Sequence, residues 1–297
     1  MEQLARDVAI IKTLMSNAYL VGNAKCWILV DALTPRHERT IKQAAEALFG
    51  FSTPPQGILL THGHVDHVGS AAALADFWNV KVYAHRLEHP YLTGRAFYPP
   101  LDHTAPGFFS TFSRIYSPAS NCNLGDRLAE LDLNHPPPWL ADWRCHFTPG
   151  HSPGHLVFFR PEGAVLLAGD AVTTMNLDSF FGTVMQRPQL CGPPAPATID
   201  WRQAHSSVQQ LARLRPDLIC AGHGKPMFGQ AHAMQKLADD FPIPAHGRYV
   251  REPAITDEEG VRYLPPAPLD LTPKLLAAAG IGAFGFALLR KRERNKT

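Results

Sequence analysis

The sequence is poor in cysteine, with five in 297 residues. They are scattered (Cys26, Cys122, Cys145, Cys191, Cys220) and form no close Cys-x-x-Cys pair. An odd, dispersed set excludes a disulfide framework and a structural zinc cluster as the organising device. Cys26, Cys145 and Cys220 fall in apolar strand candidates and read as small buried residues. An excess of one charge is also missing. The formal net charge is +2, which supplies no basic field of the kind that draws nucleic acid, so no nucleic-acid partner is expected. The first residues, Met1 to Asp7, lead into Val8-Ala9-Ile10-Ile11 without an apolar run long enough for a secretory signal. The expected location is therefore cytoplasmic. No internal repeat or low-complexity tract occurs.

Long hydrophobic runs are scarce too. One uncharged stretch, Leu275 to Leu289, precedes the basic Arg290-Lys291-Arg292-Glu293-Arg294-Asn295-Lys296. As a helix it spans about 22 Å, short of a hydrocarbon core of about 30 Å. Snorkelling of Lys274 and Arg290 and local thinning narrow that gap. The basic tail suits a cytoplasmic membrane face. Membrane contact through this segment and a buried soluble helix are competing expectations.

What the chain has is a dense set of metal-binding side chains. Thr61-His62-Gly63-His64-Val65-Asp66-His67 packs four potential ligands into six residues. Neutral imidazole nitrogens and carboxylate oxygens are the donors that divalent transition metals take. The run follows the strand candidate Gly57-Ile58-Leu59-Leu60 and precedes a helix start at Gly69 to Ala75. It therefore sits on a strand-to-helix loop, where a rigid scaffold can aim side chains into one site. Three further segments repeat the arrangement. Cys145-His146-Phe147-Thr148-Pro149-Gly150-His151-Ser152-Pro153-Gly154-His155 carries several histidines. Ala164 to Asp170 is an apolar run ending in a carboxylate, and Leu218 to Gly224 ends in His223 between two glycines. In layered α/β folds the ends of strands gather on one edge of a sheet, where sites are built.

Helix candidates are Arg36 to Phe49, Ser70 to Trp78, Trp201 to Leu214 and Gln230 to Phe241, with helix-start chemistry at Thr34-Pro35 and Thr198-Ile199-Asp200. The aromatic tract Tyr91 to Asn123 breaks the rhythm and is either a roof over the site or a surface loop with its own small core. Met175 to Phe181 is a second aromatic element that could line the same mouth, and Cys191 to Ala197 reads as a loop. The expected organisation is a catalytic domain over 1–245, a Pro-rich extension or linker over 246–274, and an apolar helix with its basic tail over 275–297.

His62-Gly63-His64-Val65-Asp66-His67, Thr148-Pro149-Gly150-His151, Gly169-Asp170 and Gly222-His223-Gly224, in that order and rough spacing, resemble the metallo-β-lactamase superfamily of hydrolases. The resemblance runs over about residues 15 to 230 and includes the opening pair Asn17 to Val21 and Trp27 to Asp31. It implies an α/β fold, a four-layer αβ/βα sandwich. It also implies two divalent metal ions, zinc first, with iron or manganese as alternatives. His62, His64 and His151 would hold one metal, and Asp66, His67 and His223 the other. Asp170 would bridge them. A metal-bridging hydroxide would attack the substrate, oriented by Asp66 in a catalytic role. His155 reads as an outer partner of a ligand, and His146 as a packed or surface residue. His103 lies in the tract that would cover the site. The family's usual Asp-Thr-Gly reads Asp31-Ala32-Leu33 here, expected to alter only a local turn. The expected substrate is a small activated ester, a thioester (glyoxalase-like) or a lactone. Gly224-Lys225-Pro226-Met227 does not resemble the basic glutathione-binding region of glyoxalase II enzymes. A phosphodiesterase or nuclease on the same dinuclear site, or an iron-dependent redox protein of the same fold, are the alternatives.

Overall fold

In the computed structural model, residues 1–113, 122–137 and 139–270 are described. The chain divides into two units, Met1–Pro265 and Pro266–Thr297.

The first sheet runs β1 (Glu2–Ala5), β2 (Val8–Lys12), β3 (Asn17–Asn23), β4 (Cys26–Val30), β5 (Ile58–Leu59), β6 (Val82–Ala84) and β7 (Leu128–Glu130) in spatial as well as sequence order. The first four strands pair antiparallel; from β4 onward the pairing is parallel. The parallel half needs crossovers, supplied by α1 (Glu38–Phe49) between β4 and β5 and by α2 (Val65–Val68) and α3 (Ala71–Trp78) between β5 and β6. The second sheet has the order β13 (Leu218–Ala221), β10 (Val165–Gly169), β9 (Leu156–Arg160), β8 (Arg144–Phe147). Its parallel pair, β10 with β13, is crossed over by α7 (Trp201–Arg213).

Side-chain alternation explains the layering. On β4, Trp27 and Leu29 pack with Ile41, Ala45, Leu74 and Ala75 of α1 and α3. The intervening Ile28 and Val30 turn the other way, onto Phe158, Val165 and Leu167 of the second sheet. On β10 the partners of Val165 and Leu167, Leu166 and Ala168, meet Val208 and Leu211 of α7 and Met234 of α8 (Ala231–Asp239). Three apolar layers between four structural layers make the expected αβ/βα sandwich.

Between β10 and α7 lie the hairpin β11 (Thr173–Met175) with β12 (Pro188–Cys191) and the short helix α6 (Phe180–Met185). The tract after β6 carries α4 (His89–Leu92) and α5 (Phe108–Phe112). Residues 246–265 are structured as well. Tyr249, in α9 (Arg248–Arg251), is buried and its hydroxyl donates to the Pro100 carbonyl at 2.7 Å. The hairpin β14 (Ile255–Asp257) with β15 (Gly260–Tyr263) follows. Among the described residues no helix is long and apolar enough to cross a membrane. The apolar run 275–289 and its basic tail lie outside the described residues.

Candidate metal centre

Each strand end delivers its donor. His62 and His64 follow β5, and Asp66 and His67 lie in the single turn of α2. His151 lies in the turn joining β8 to β9, Asp170 directly after β10 and His223 just beyond the end of β13, with Gly222 between. All seven are buried. Their donor atoms form three overlapping groups, each within 4.8 Å: His62, His64 and His151; His62, His67 and Asp170; Asp66, His67 and His223.

In the first group His151 Nε2 lies 3.0 Å from His64 Nδ1 and 3.3 Å from His62 Nε2. Nitrogens about 2.0–2.1 Å from one tetrahedral ion are about 3.4 Å apart, so the three rings are close enough to share a cation. The Asp170 carboxylate joins the groups. Its Oδ2 is 3.0 Å from His223 Nε2 and 3.6 Å from His151 Nε2, and its Oδ1 is 3.5 Å from His67 Nε2. His67 Nε2 and Asp170 Oδ1 are buried without a hydrogen-bond partner. Native proteins rarely leave such atoms unsatisfied, and a cation between them satisfies both. The residues therefore fit a metal pair. Gly222 makes the close approach feasible, because a Cβ there would sit 2.2 Å from Asp170 Oδ1.

Outer partners set which ring nitrogen faces inward. His67 Nδ1 donates to Asp31 Oδ2 at 2.8 Å, and His223 Nδ1 donates to the Met15 carbonyl at 2.6 Å. Thr61 Oγ1 gives its proton to Asp31 Oδ2 at 2.8 Å, so it can only accept from His62 Nδ1 at 3.1 Å. In all three residues Nε2 is left for the site, the usual outer support of metal-binding imidazoles. The turn at Asp31-Ala32-Leu33 is thus more than local. Asp31 and Leu33 both adopt left-handed backbone, φ 58° and 57°. That conformation is costly for residues other than glycine, and it places the Asp31 carboxylate under His67.

His155 is not a donor to the site. Its Nε2 accepts the Asp170 backbone N–H at 3.0 Å and its Nδ1 donates to Thr148 Oγ1 at 2.9 Å. Burial lowers its pKa to about 3, so it stays neutral and keeps that acceptor. His146 is partly buried on β8, beside Gln210, away from the donors. His103 meets Ser113 Oγ at 2.8 Å and is not among the donor groups.

Glu88 was not legible from the sequence. It is fully buried and accepts from the Gly63 N–H at 3.0 Å, the Ser152 hydroxyl at 2.8 Å, the Gly154 N–H at 2.6 Å and the Tyr98 hydroxyl. One carboxylate thus ties the His62–His64 loop to the His151 loop. The Tyr98 ring packs against His64 with centroids 4.7 Å apart. Burial raises the Glu88 pKa against the pull of these four donors.

Electrostatics divide the histidines. Burial, then neighbouring imidazoles, hold His62 and His151 well below their ordinary values, and burial lowers His64 to about 4. Burial opposes charge on His67 and His223 as well, but Asp170 with Asp31 or Asp66 outweighs it and raises both. The cleft over the donors is bordered by Leu101, Phe109, Pro194 and Ala197. The described part of the 91–123 tract therefore does edge the site.

Comparison with known proteins agrees with this geometry. The family model of the metallo-beta-lactamase superfamily matches residues 11–223. A Bacillus subtilis (strain 168) protein named probable metallo-hydrolase YflN is 34% identical over 232 residues, 77% of this chain and 88% of that one. The solved structure of a beta-lactamase domain protein from Burkholderia ambifaria shares the fold with a TM-score of 0.56 at 21% identity, over 80% of this chain and 75% of that one. A di-iron-bound form of TTHA1623 does so with a TM-score of 0.50 at 24% identity, over 76% of this chain and 96% of that one. With the sandwich, the order of the donors and the family match in agreement, the chain belongs to the metallo-beta-lactamase superfamily and is a metallo-hydrolase.

Proposed function

We propose that this protein hydrolyses a small activated ester, a thioester or lactone, with two divalent cations held side by side. The observation that carries the reading is Asp170, whose two carboxylate oxygens face His67 on one side and His151 and His223 on the other. His62, His64 and His151 would hold one cation. Asp66, His67 and His223 would hold the other, with Asp170 shared. Zinc suits this nitrogen-rich donor set, and iron or manganese are the alternatives. When bound, such a pair supplies Lewis acidity toward a carbonyl oxygen and a water reactive at neutral pH.

The chain's own residues do the rest. Among the described residues no serine or cysteine borders the cleft, and the attacking group in this reading is water. The Asp66 carboxylate, 3.4 Å from His223 Nε2, accepts a hydrogen bond from that water and orients it. Leu101 and Phe109 restrict the entry of further water. Among the described residues the cleft border has no lysine or arginine. A phosphodiester is anionic and calls for such partners, so an uncharged acyl substrate is the better match.

The test combines elemental analysis with a substrate panel. Purified protein should carry about two equivalents of transition metal, and the loaded protein should cleave thioesters or lactones faster than β-lactams and phosphodiesters. Metal content near zero after supplementation overturns the dinuclear reading. Preference for the phosphodiesters overturns the ester reading.

A further inference from the structure

Beside the donors lies a cavity of about 300 Å³. That is the lower end of the range for small-molecule sites, about 300–1,000 Å³. Among the described residues its titratable lining is Asp66 and His223, both members of the candidate metal centre. Thr183 adds one hydroxyl, and the remaining lining is hydrocarbon, aromatic ring or thioether. Met175, at the end of β11, and Leu177, just beyond it, are buried and form one part. Phe108 and Phe109 of α5 form another. Leu14, on the turn between β2 and β3, and Val184 of α6 complete it.

The last two residues do not behave like core. Leu14 is 74% exposed and Val184 58%. The apolar surface continues past them along α6, because Phe181, one helical turn before both Val184 and Met185, is exposed together with them. The turn and the helix are held close, since Lys12 Nζ donates to Gln186 Oε1 at 3.0 Å just beyond α6. The Phe180 ring meets Phe108 edge-on at 5.1 Å and joins α6 to the α5 wall. Contiguous exposed apolar surface marks a binding surface. Here it leads from solvent into a cavity that ends on two catalytic-centre residues.

Resting on the ester-hydrolase reading, we infer that this cavity is an acyl subsite: it takes the medium-length, uncharged hydrocarbon chain of the substrate while the ester carbonyl lies at Asp66 and His223. A charged chain would lose its hydration with no counter-charge among the described lining residues other than these two. A glutathione-like polar group does not match such walls. A chain laid along Leu14 and Val184 covers the surface that is otherwise exposed.

The experiment uses the metal-loaded full chain and a thioester series from acetyl to octanoyl. The octanoyl thioester should have a kcat/KM at least about ten-fold above the acetyl thioester, since each methylene buried in an apolar pocket raises transition-state binding. Val184→Asp and Leu14→Glu, both at exposed positions, should each lower the octanoyl-to-acetyl ratio several-fold. Octanamide, which is not turned over on this timescale, should bind in calorimetry more tightly than acetamide, and Val184→Asp should weaken it. A flat dependence on chain length, or ratios unchanged in both variants, overturns the acyl subsite while the hydrolase reading stands. If no ester is cleaved, the hydrolase reading falls. The octanamide comparison then decides the subsite: tighter binding lost in Val184→Asp supports it, and equal binding of the two amides overturns it.

Discussion

Asp170 and His155 touch each other through one backbone N–H, yet their replacement should have very different consequences. Asp170→Ala removes the one carboxylate that faces His67, His151 and His223 together, leaving His67 only Asp31 and His223 only Asp66. His155→Ala removes an acceptor from the Asp170 N–H and a donor to Thr148, with no atom in the donor groups. Outer-partner changes typically cost about 10–100-fold in metal affinity or activity, so Asp170→Ala should lose more than His155→Ala in both. Equal losses with fold and metal content intact would contradict the division. Proton linkage gives a second prediction. In the metal-free protein His67 and His223 have pKa values raised by Asp170 and by Asp31 or Asp66, so each holds its proton above the ordinary value of about 6.5. A cation must displace those protons, and affinity must fall as pH falls. Adding zinc to the apo protein in weak buffer at neutral pH should release protons, and a metal titration repeated at pH 6 should give weaker binding. No proton release at neutral pH would be inconsistent with both residues acting as ligands. The donors themselves were readable because imidazoles and carboxylates crowd into short motifs at strand ends. Glu88 was not, because a single carboxylate in Arg86-Leu87-Glu88-His89 resembles any solvated acid. Its burial is created only when the His62–His64 and His151 loops fold against it.

The elements that place the site are held by local chemistry with its own test. Asp200 caps α7 by accepting from the Arg202 and Gln203 backbone N–H groups, both at 2.9 Å. The Gly150 carbonyl accepts from Ile199 and Asp200 N–H, which docks the start of α7 on the turn that carries His151. Gly150 has φ 130°, and a Cβ there would lie 2.3 Å from the Ala204 backbone nitrogen. Gly150→Ala therefore combines backbone strain with overpacking and should cost about 1–3 kcal/mol in chemical denaturation, with metal affinity falling alongside. Stability and affinity both unchanged would mean that α7 does not fix the His151 turn. The capping signal at Asp200 is visible in the sequence, and α7 begins at Trp201 as expected. The other long helices also match within a few residues: α1 over Glu38–Phe49, α3 over Ala71–Trp78 and α8 over Ala231–Asp239. Short elements were less legible. Cys191 to Ala197 reads as a loop because of its prolines, yet Cys191 ends β12 and Ala195–Ala197 form a 3-10 turn. β12 pairs through the β11 hairpin, a tertiary contact that carries little periodic signal over four residues.

At the scale of the whole molecule, alternating strands and helices with a donor at each strand end already point to a layered sandwich with its site on one edge. The segregation into three apolar layers then follows from period-two alternation on β4 and β10. The extension after residue 245 was less legible, because its buried contacts depend on distant partners such as the Pro100 carbonyl beneath Tyr249. The compact unit that contains every donor runs from Met1 to Pro265. A chain shortened to end at Pro265 should therefore fold, bind metal and retain esterase activity close to that of the full chain. By contrast, removing residues 246–265 as well exposes the apolar patch formed by Ala105, Ile199 and Trp201, which Tyr249 and Ala254 cover, and should lower the melting temperature. The uncharged run Leu275–Leu289 and the basic residues after it make a separate prediction. Each Lys or Arg near an anionic surface adds about 1 kcal/mol of attraction, so the full chain should bind vesicles containing anionic lipid and be released by salt, and the chain ending at Pro265 should not bind. If both versions stay unbound at low salt, the apolar run has no membrane role. If the Pro265 version is folded but inactive, the terminal segment belongs to the catalytic unit.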